Sequence, residues 1–450
     1  MSLYINHQLV NVIVDTGSYQ AVVFGKDNNI CSTNCYTPSN NVLQNSSQAA
    51  VLITDDSESI IDSNALNIYE TVQLDVNTYN QNKTNTVSYT NASLVYTQSL
   101  TVGAPQNSVA LNVYPDNIDG IMGLGYAIEG STPSNILNTT TWLTLIESYS
   151  IIPQQPIIAL DYRADNTSYM NLGGMDVQYM NTIQWAQPIA NPIYHEANLY
   201  NFNICNVNLL GAFNIVSWPA IVDTGSICLS LPAELFDMII AWVPAIHCVD
   251  AVQPSNTTQT SETTLCYINT TSIQLLPTLS FSLCNNCVHK LYINLTELVL
   301  DDVNLIHAQY GNRICINRVN SMDDPSGDNF ITIGSLVLYQ LYFVSNMEYN
   351  IIGLAQKNDI QQASNVQCAI PIHCTGTQQQ YYKQLNTCIT PSCNSYFLFV
   401  YNSDSNGCVV SSSFNALAVT LLVIYVAGEL GLLLWKQDMH YKILTSVPPS

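Results

Sequence analysis

The pentapeptide Val-Asp-Thr-Gly-Ser occurs twice, ending at Ser18 and at Ser226, and each copy closes an apolar run that begins at Val12 or at Ala220. A β-branched pair precedes each aspartate (Ile13-Val14, Ile221-Val222), so both fall where a buried strand turns sharply through glycine. Each half then supplies a further short strand ending in glycine, Ile121-Met122-Gly123 and Thr332-Ile333-Gly334. This long-range recurrence implies a chain built as two related halves. Chance produces an Asp-Thr-Gly at about one position in several thousand, so one copy carries little weight and two with matched flanks carry much.

The chemistry that needs such a pair is specific. Two carboxylates within about 3 Å share one proton, because like charges at that distance cannot both ionise cheaply. One member then serves as base and the other as acid, which suffices to activate a water for amide hydrolysis without metal, cofactor or covalent intermediate. The candidate catalytic residues are Asp15 and Asp223. Gly17 and Gly225 permit close backbone approach to the carboxylates, and the hydroxyls of Thr16, Ser18, Thr224 and Ser226 can hydrogen-bond across the turns. An isolated Asp-Gly segment has the simpler reading of a turn-stabilising aspartate, and the duplication argues against it.

No rival catalytic motif is present: His-Glu-x-x-His, Gly-x-Ser-x-Gly and Gly-x-x-x-x-Gly-Lys are all missing. The 7 His are scattered, each read as a surface or core polar residue, and no metal site is expected. Lys plus Arg total 10 against 32 Asp plus Glu, a net charge of -22 that repels phosphate backbones and excludes nucleic acid as a partner. That balance also suits an acidic compartment, where protonated carboxylates leave few positive groups to repel one another.

Alternating β-branched and polar runs dominate, with strands expected over Asn11 to Val14, Thr71 to Val76, Asn203 to Leu209 and Ser272 to Ser282. Helix is expected only at Trp142 to Ser148 and at Pro232 to Val243, where Leu235, Met238, Ile239 and Trp242 form an apolar stripe. The fold class is mainly β.

The 14 Cys and the glycosylation acceptors at Asn45, Asn82, Asn91, Asn138, Asn166, Asn256, Asn269 and Asn294 together imply a secretory route. All the acceptors precede the apolar run Phe414 to Trp435, 22 residues interrupted strongly only by Glu429, which is long enough to cross a bilayer. Lys436 and Lys442 follow the run whereas residues 394 to 413 contain no Lys or Arg, so the C-terminus is expected in the cytosol. A GPI signal fits less well because mostly polar residues follow. Met1 to Gln8 has neither a basic nor an apolar signal region, so the secretory reading expects a longer natural N-terminus, with little room here for a first strand.

Over residues 3 to 357 the chain resembles the pepsin-type aspartic proteases. The resemblance rests on the two Asp-Thr-Gly-Ser turns and on Asp119-Gly-Ile-Met-Gly-Leu-Gly-Tyr126. Two further segments carry it, Leu172-Gly-Gly-Met-Asp176 and the run from Ile331 to Ala355. It implies a bilobal β fold, a cleft for extended peptide and an endopeptidase favouring acidic pH. It also implies a disulfide between Cys31 and Cys35 and another between Cys266 and Cys315. Cys284 and Cys287 read as a tight hairpin bridge in preference to half a zinc knuckle with His289; the odd Cys counts before and after Gln361 then require one bridge to the C-terminal cysteines or two unpaired thiols, with Cys205, Cys228 and Cys248 as candidates. Family members close a flap tyrosine over the cleft against a tryptophan after the first turn. Here the tryptophan position reads Val22, and Asp55 to Glu58 stand where the tyrosine is expected.

The expected organisation is an N-terminal catalytic lobe (1–170), a C-terminal lobe (171–360), a Cys-containing stalk (361–413), a transmembrane helix (414–435) and a cytoplasmic tail (436–450). Function is read as a monomeric, single-pass type I aspartic endopeptidase of the secretory or endolysosomal pathway or cell surface, acting on protein or peptide. The missing flap pair motivates an alternative, a pepsin-fold membrane protein that binds peptide with weak or no turnover. A glycosylated adhesin would leave the twin turns unexplained.

Overall fold

A computed structural model describes residues 1–18, 21–26, 35–44, 47–55, 58–78, 83–97, 118–126, 157–163, 167–190, 194–243, 246–252, 262–300, 311–319, 330–357, 380–382, 386–389, 399–402 and 407–445. The chain divides into two compact units, Met1–Ala369 and Ile370–Ser450.

The first unit begins with β1 (Ser2–Ile5) and β2 (Gln8–Asp15), antiparallel neighbours joined by a two-residue turn. Asn6 and His7 both adopt positive φ (45° and 65°), the backbone that matches the twist of a tight hairpin. A first strand therefore fits within the residues that precede Asp15, contrary to the expectation of little room. Then come β3 (Ala21–Phe24), β4 (Ser47–Asp55), β5 (Glu58–Thr78), β6 (Lys83–Thr97) and β7 (Gly120–Gly123), giving one sheet in the order β1-β2-β7-β3-β6-β5-β4. In β2 only Val10, Val12 and the terminal Asp15 are buried, whereas β3 and β7 are buried throughout, as central strands covered on both faces must be.

A second sheet joins the halves. It is built from β8 (Ile157–Asp161), β9 (Tyr169–Leu172) and β10 (Gln184–Trp185) with β23 (Leu341–Asn346) and β24 (Ile351–Gln356), in the order β10-β24-β23-β8-β9. Ile157, Ala159, Tyr179, Tyr342 and Val344 pack together as its core. The expected lobe boundary at 170/171 falls inside β9.

The third sheet repeats the first. Its strands are β11 (Glu196–Ile204), β12 (Val207–Asn208), β13 (Ser217–Val222), β14 (Leu229–Pro232), β17 (Thr278–Ser282), β18 (Leu291–Asn294), β21 (Ile316–Val319) and β22 (Ile331–Ile333). The order β2-β7-β3-β6 recurs as β13-β22-β14-β21, with the same parallel and antiparallel senses. A smaller sheet holds β15 (Ile246–Val252), β16 (Glu262–Ile268), β20 (Asn312–Ile314) and β19 (Val299–Leu300). Helix Ala233–Ile240 is shorter than expected; it buries Leu235, Met238 and Ile239 of the expected stripe together with Phe236, and Trp242 is buried just beyond its end.

Two expected strands are interrupted. Asn203 to Leu209 is a hairpin, because Cys205 and Asn206 take positive φ (49° and 62°) and turn the chain between β11 and β12. Ser272 to Ser282 opens as a 3-10 turn, Thr270–Leu275, in which the Asn269 side chain accepts from the Thr271 amide, and only Thr278–Ser282 is strand. The helix expected at Trp142 to Ser148 lies outside the described residues.

The disulfides correct one pairing. Cys315 is bonded to Cys228 and Cys266 to Cys248, so the expected Cys266–Cys315 bridge does not form. Register decides it: Cys248 and Cys266 are direct cross-strand partners, while the parallel pairing of β14 with β21 sets Cys228 beside Cys315. Cys284 and Cys287 form the tight bridge. Cys35 and Cys205 are also disulfide-bonded, and Cys31 lies outside the described residues.

The second unit contains the hairpins β25 (Gln380–Tyr382) with β26 (Thr387–Ile389) and β27 (Phe399–Asn402) with β28 (Gly407–Val410). A 34-residue helix, Ser412–Thr445, follows. Its stretch Phe414–Gln437 is long and apolar enough to cross a membrane, and the helix runs on through the first ten residues of the segment expected as tail.

Candidate active site

Each Asp-Thr-Gly-Ser turn is held by the strand running parallel beside it. Asp15 ends β2 opposite Gly123 of β7, and the turn is fixed by Leu124 N–H to Asp15 O (2.6 Å) and Gly125 N–H to Ser18 O (2.7 Å). In the second half Asp223 N–H donates to Ile333 O (3.1 Å) and Ser335 N–H to Ser226 O (2.8 Å). The sequence repeat is thus a repeat of one strand–turn device.

Four hydrogen bonds clasp the two turns to each other. Thr16 Oγ1 donates to Val222 O (2.7 Å) and accepts from Thr224 N–H (3.0 Å). Reciprocally, Thr224 Oγ1 donates to Val14 O (2.6 Å) and accepts from Thr16 N–H (3.0 Å). Both threonines are buried, so each hydroxyl meets both its donor and acceptor needs inside the protein.

The carboxylates face across this clasp. A Cβ added to Gly17 would collide with the Asp223 carboxyl, and one added to Gly225 would stand 2.6 Å from Asp15 Oδ1. Only glycine at these two positions lets each turn lie against the opposite acid. Asp15 Oδ1 accepts from Gly17 N–H (2.8 Å). Asp223 Oδ1 accepts from Gly225 N–H (2.9 Å) and Ser226 N–H (3.4 Å), and its Oδ2 from Ser226 Oγ (2.8 Å). The two serines differ, since Ser18 Oγ is buried without a hydrogen-bond partner of good geometry. Burial first, and then the negative charge of Asp223, push Asp15 up from the usual carboxylate range to about 8, against a weaker opposing pull from Ser18 and the Gly17 amide.

Two residues that sequence reasoning did not single out complete the surroundings. Tyr162, directly after β8, is half-buried; burial, and then the fields of Tyr339 and both aspartates, raise it to about 12 against the opposing pull of its hydrogen bond to Thr224. His195 is buried between the two halves, and burial lowers it to about 4. Neither sits in a motif, so only the folded context marks it.

The lid region departs from the resemblance as expected. A hairpin is present, β4 with β5, and its closing pair is Asp55 with Glu58. Tyr69 lies on the returning strand, exposed, opposite Ser93 of β6. Val22 is buried inside β3 between Ile121 and Val95.

Among the acceptor asparagines, Asn269 is exposed and Asn294 half-buried, each accepting from the amide two residues on; Asn91 lies on β6. Asn45, Asn82, Asn138, Asn166 and Asn256 lie outside the described residues. Among the described residues no group of three or more His, Cys, Asp or Glu could hold a metal ion.

A comparison with solved structures finds the aspartic proteinase from Irpex lacteus, with a TM-score of 0.54 and 16% identity, covering 81% of this chain and 95% of that one. No curated protein matches. A family model described as eukaryotic aspartyl protease matches residues 2–357. With twin carboxylate turns, bilobal β architecture and a match over most of its length, the chain belongs to the eukaryotic aspartyl protease family.

Proposed function

We propose that Asp15 and Asp223 form the catalytic dyad of an aspartic endopeptidase, that it works at acidic pH, and that its substrates are protein or peptide. One observation carries this reading: each turn's glycine abuts the other turn's carboxylate, so the acids share one small space and Asp15 keeps its proton. Asp15 is the proton donor. Asp223, met by two amides and the Ser226 hydroxyl, is the base.

In the reaction, Asp223 takes a proton from a water as its oxygen attacks the scissile carbonyl, and Asp15 gives its proton to the carbonyl oxygen. Breakdown of the tetrahedral intermediate returns a proton to the departing amine and restores the pair. Thr16 and Thr224 hold the spacing, and Gly17, Gly225 and Ser226 supply donors and room. Residues 1–170 and 171–360 act as the two catalytic lobes of a monomer, tethered by residues 361–413 to a type I membrane helix.

The test is cleavage of a peptide library at acidic pH by wild type, Asp15→Asn and Asp223→Asn, with and without a statine-type inhibitor. Wild type is expected to cleave and both variants to lose activity by a factor of about 10⁴ or more. Equal activity in the three proteins would sink the proposal. The second reading, peptide binding with little turnover, is supported by Asp55, Glu58 and Val22 at the positions of the lid pair. It predicts saturable peptide binding without cleavage.

A further inference from the structure

We propose that His195 is a positioning residue for the dyad, a second clasp that ties the backbone of one catalytic aspartate to that of the other. This rests on the catalytic reading of Asp15 and Asp223.

His195 lies directly before β11 and is 1% exposed. Its Nε2 is 2.9 Å from Leu124 O, and the amide of Leu124 in turn donates to Asp15 O at 2.6 Å. Its own carbonyl accepts from the amide of Val222 at 2.9 Å, one residue before Asp223. A single residue therefore touches the backbone hydrogen-bond partner of Asp15 and the chain neighbour of Asp223. The Thr16–Thr224 clasp fixes the turns at their tips, and this circuit fixes them one step behind.

The ring's tautomer follows from its partners and its uncharged state from burial. Leu124 O only accepts, so Nε2 carries the proton, and the other nitrogen of an uncharged imidazole accepts from Ser345 Oγ at 2.9 Å. Ser345 belongs to β23, the central strand of the sheet joining the halves. Tyr126 packs against the imidazole at 4.9 Å between ring centres and Phe343 edge-on at 5.7 Å, which removes rotational freedom. The titratable groups facing the ring are Tyr126, from the loop after β7, and Asp223, from the end of β13; Ser345 and Phe343 of β23 carry no charge. A neutral donor fixed in one tautomer spans the halves without adding charge beside the acids.

The experiment compares full-length wild type with His195→Gln, His195→Phe and Ser345→Ala, using Asp15→Asn as the inactive reference. Glutamine keeps a donor for Leu124 O, while phenylalanine keeps the packing and loses both hydrogen bonds. His195→Phe is expected to lower kcat by about tenfold or more with KM nearly unchanged, and to move the alkaline limb of the pH profile. His195→Gln should recover most of the loss, and Ser345→Ala should move the limb in the same direction.

Equal losses in the Gln and Phe variants, or an unmoved limb in Ser345→Ala, would overturn the proposal. If His195→Phe does not fold, the limb of Ser345→Ala decides. Absence of Asp15-dependent cleavage in wild type refutes the catalytic reading instead. The pH dependence of statine-type inhibitor binding then decides on His195, since a displaced carboxylate pair shifts it and an undisturbed pair does not.

Discussion

Asp15 and His195 sit two hydrogen bonds apart along the same circuit, through Leu124, and burial moves their titrations in opposite directions because it disfavours charge on acid and base alike. Asp15 is raised from 3.8 to about 8, so between those values the folded chain holds a proton that the unfolded chain has released. Stability therefore falls as pH rises through that window. His195 is lowered from 6.5 to about 4, so there the unfolded chain holds the extra proton and stability rises with pH. The two slopes oppose each other from about pH 4 to 6.5, and above 6.5 only the Asp15 slope remains. In Asp15→Asn the falling slope is removed, which leaves stability rising to about 6.5 and level beyond. Thermal denaturation of both proteins across this range measures the difference. A variant curve parallel to wild type would show that Asp15 is not held protonated by the fold.

At the scale of elements, the strand–turn devices were legible in sequence and their cross-connections were not. The twin turns announce themselves because strand, aspartate and glycine are contiguous, and Pro232 to Val243 reads as a helix because its stripe is local. Disulfide partners depend on strand register instead. Nothing local to Cys266 reveals that it stands opposite Cys248, or that β14 runs parallel to β21 and so brings Cys228 to Cys315. The β11 strand fails for a related reason. Its bulge between Tyr200 and Asn203, with Asn201 at φ 51°, shifts the buried set from Ala197 and Leu199 to Phe202 and Ile204, breaking the two-residue period. His195 escaped notice because its partners come from three distant segments. The bridges themselves differ in consequence: Cys228–Cys315 spans 87 residues and Cys284–Cys287 only 3. Replacing the first pair with alanine should cost about 2–5 kcal/mol in denaturant unfolding, because it frees a long loop in the unfolded chain. Replacing the second pair should cost much less. Equal costs would assign the stabilisation to local packing and not to chain restraint.

For the whole molecule, the acid pair lies entirely within Met1–Ala369, while the apolar helix belongs to Ile370–Ser450. Chemistry and anchorage are thus carried by separate units. The helix of 34 residues is about 51 Å long at 1.5 Å per residue, more than the roughly 30 Å hydrocarbon core requires, and its polar C-terminal part begins at Lys436. Under the proposed type I orientation, the positive charge on that side alone accounts for a tail in the cytosol. That orientation would put the catalytic halves and the acceptor asparagines in the opposite compartment, and a net charge of -22 would there be neutralised by falling pH without creating a positive surface. In sealed microsomes from cells making the full chain, added protease should remove an epitope placed after Ser450 and leave the rest protected. A glycosidase should shift the protected fragment, and an alkaline carbonate wash should leave it in the membrane. A protected tail with a digested catalytic region would reverse the orientation, and release by carbonate would show that the apolar helix does not span the bilayer.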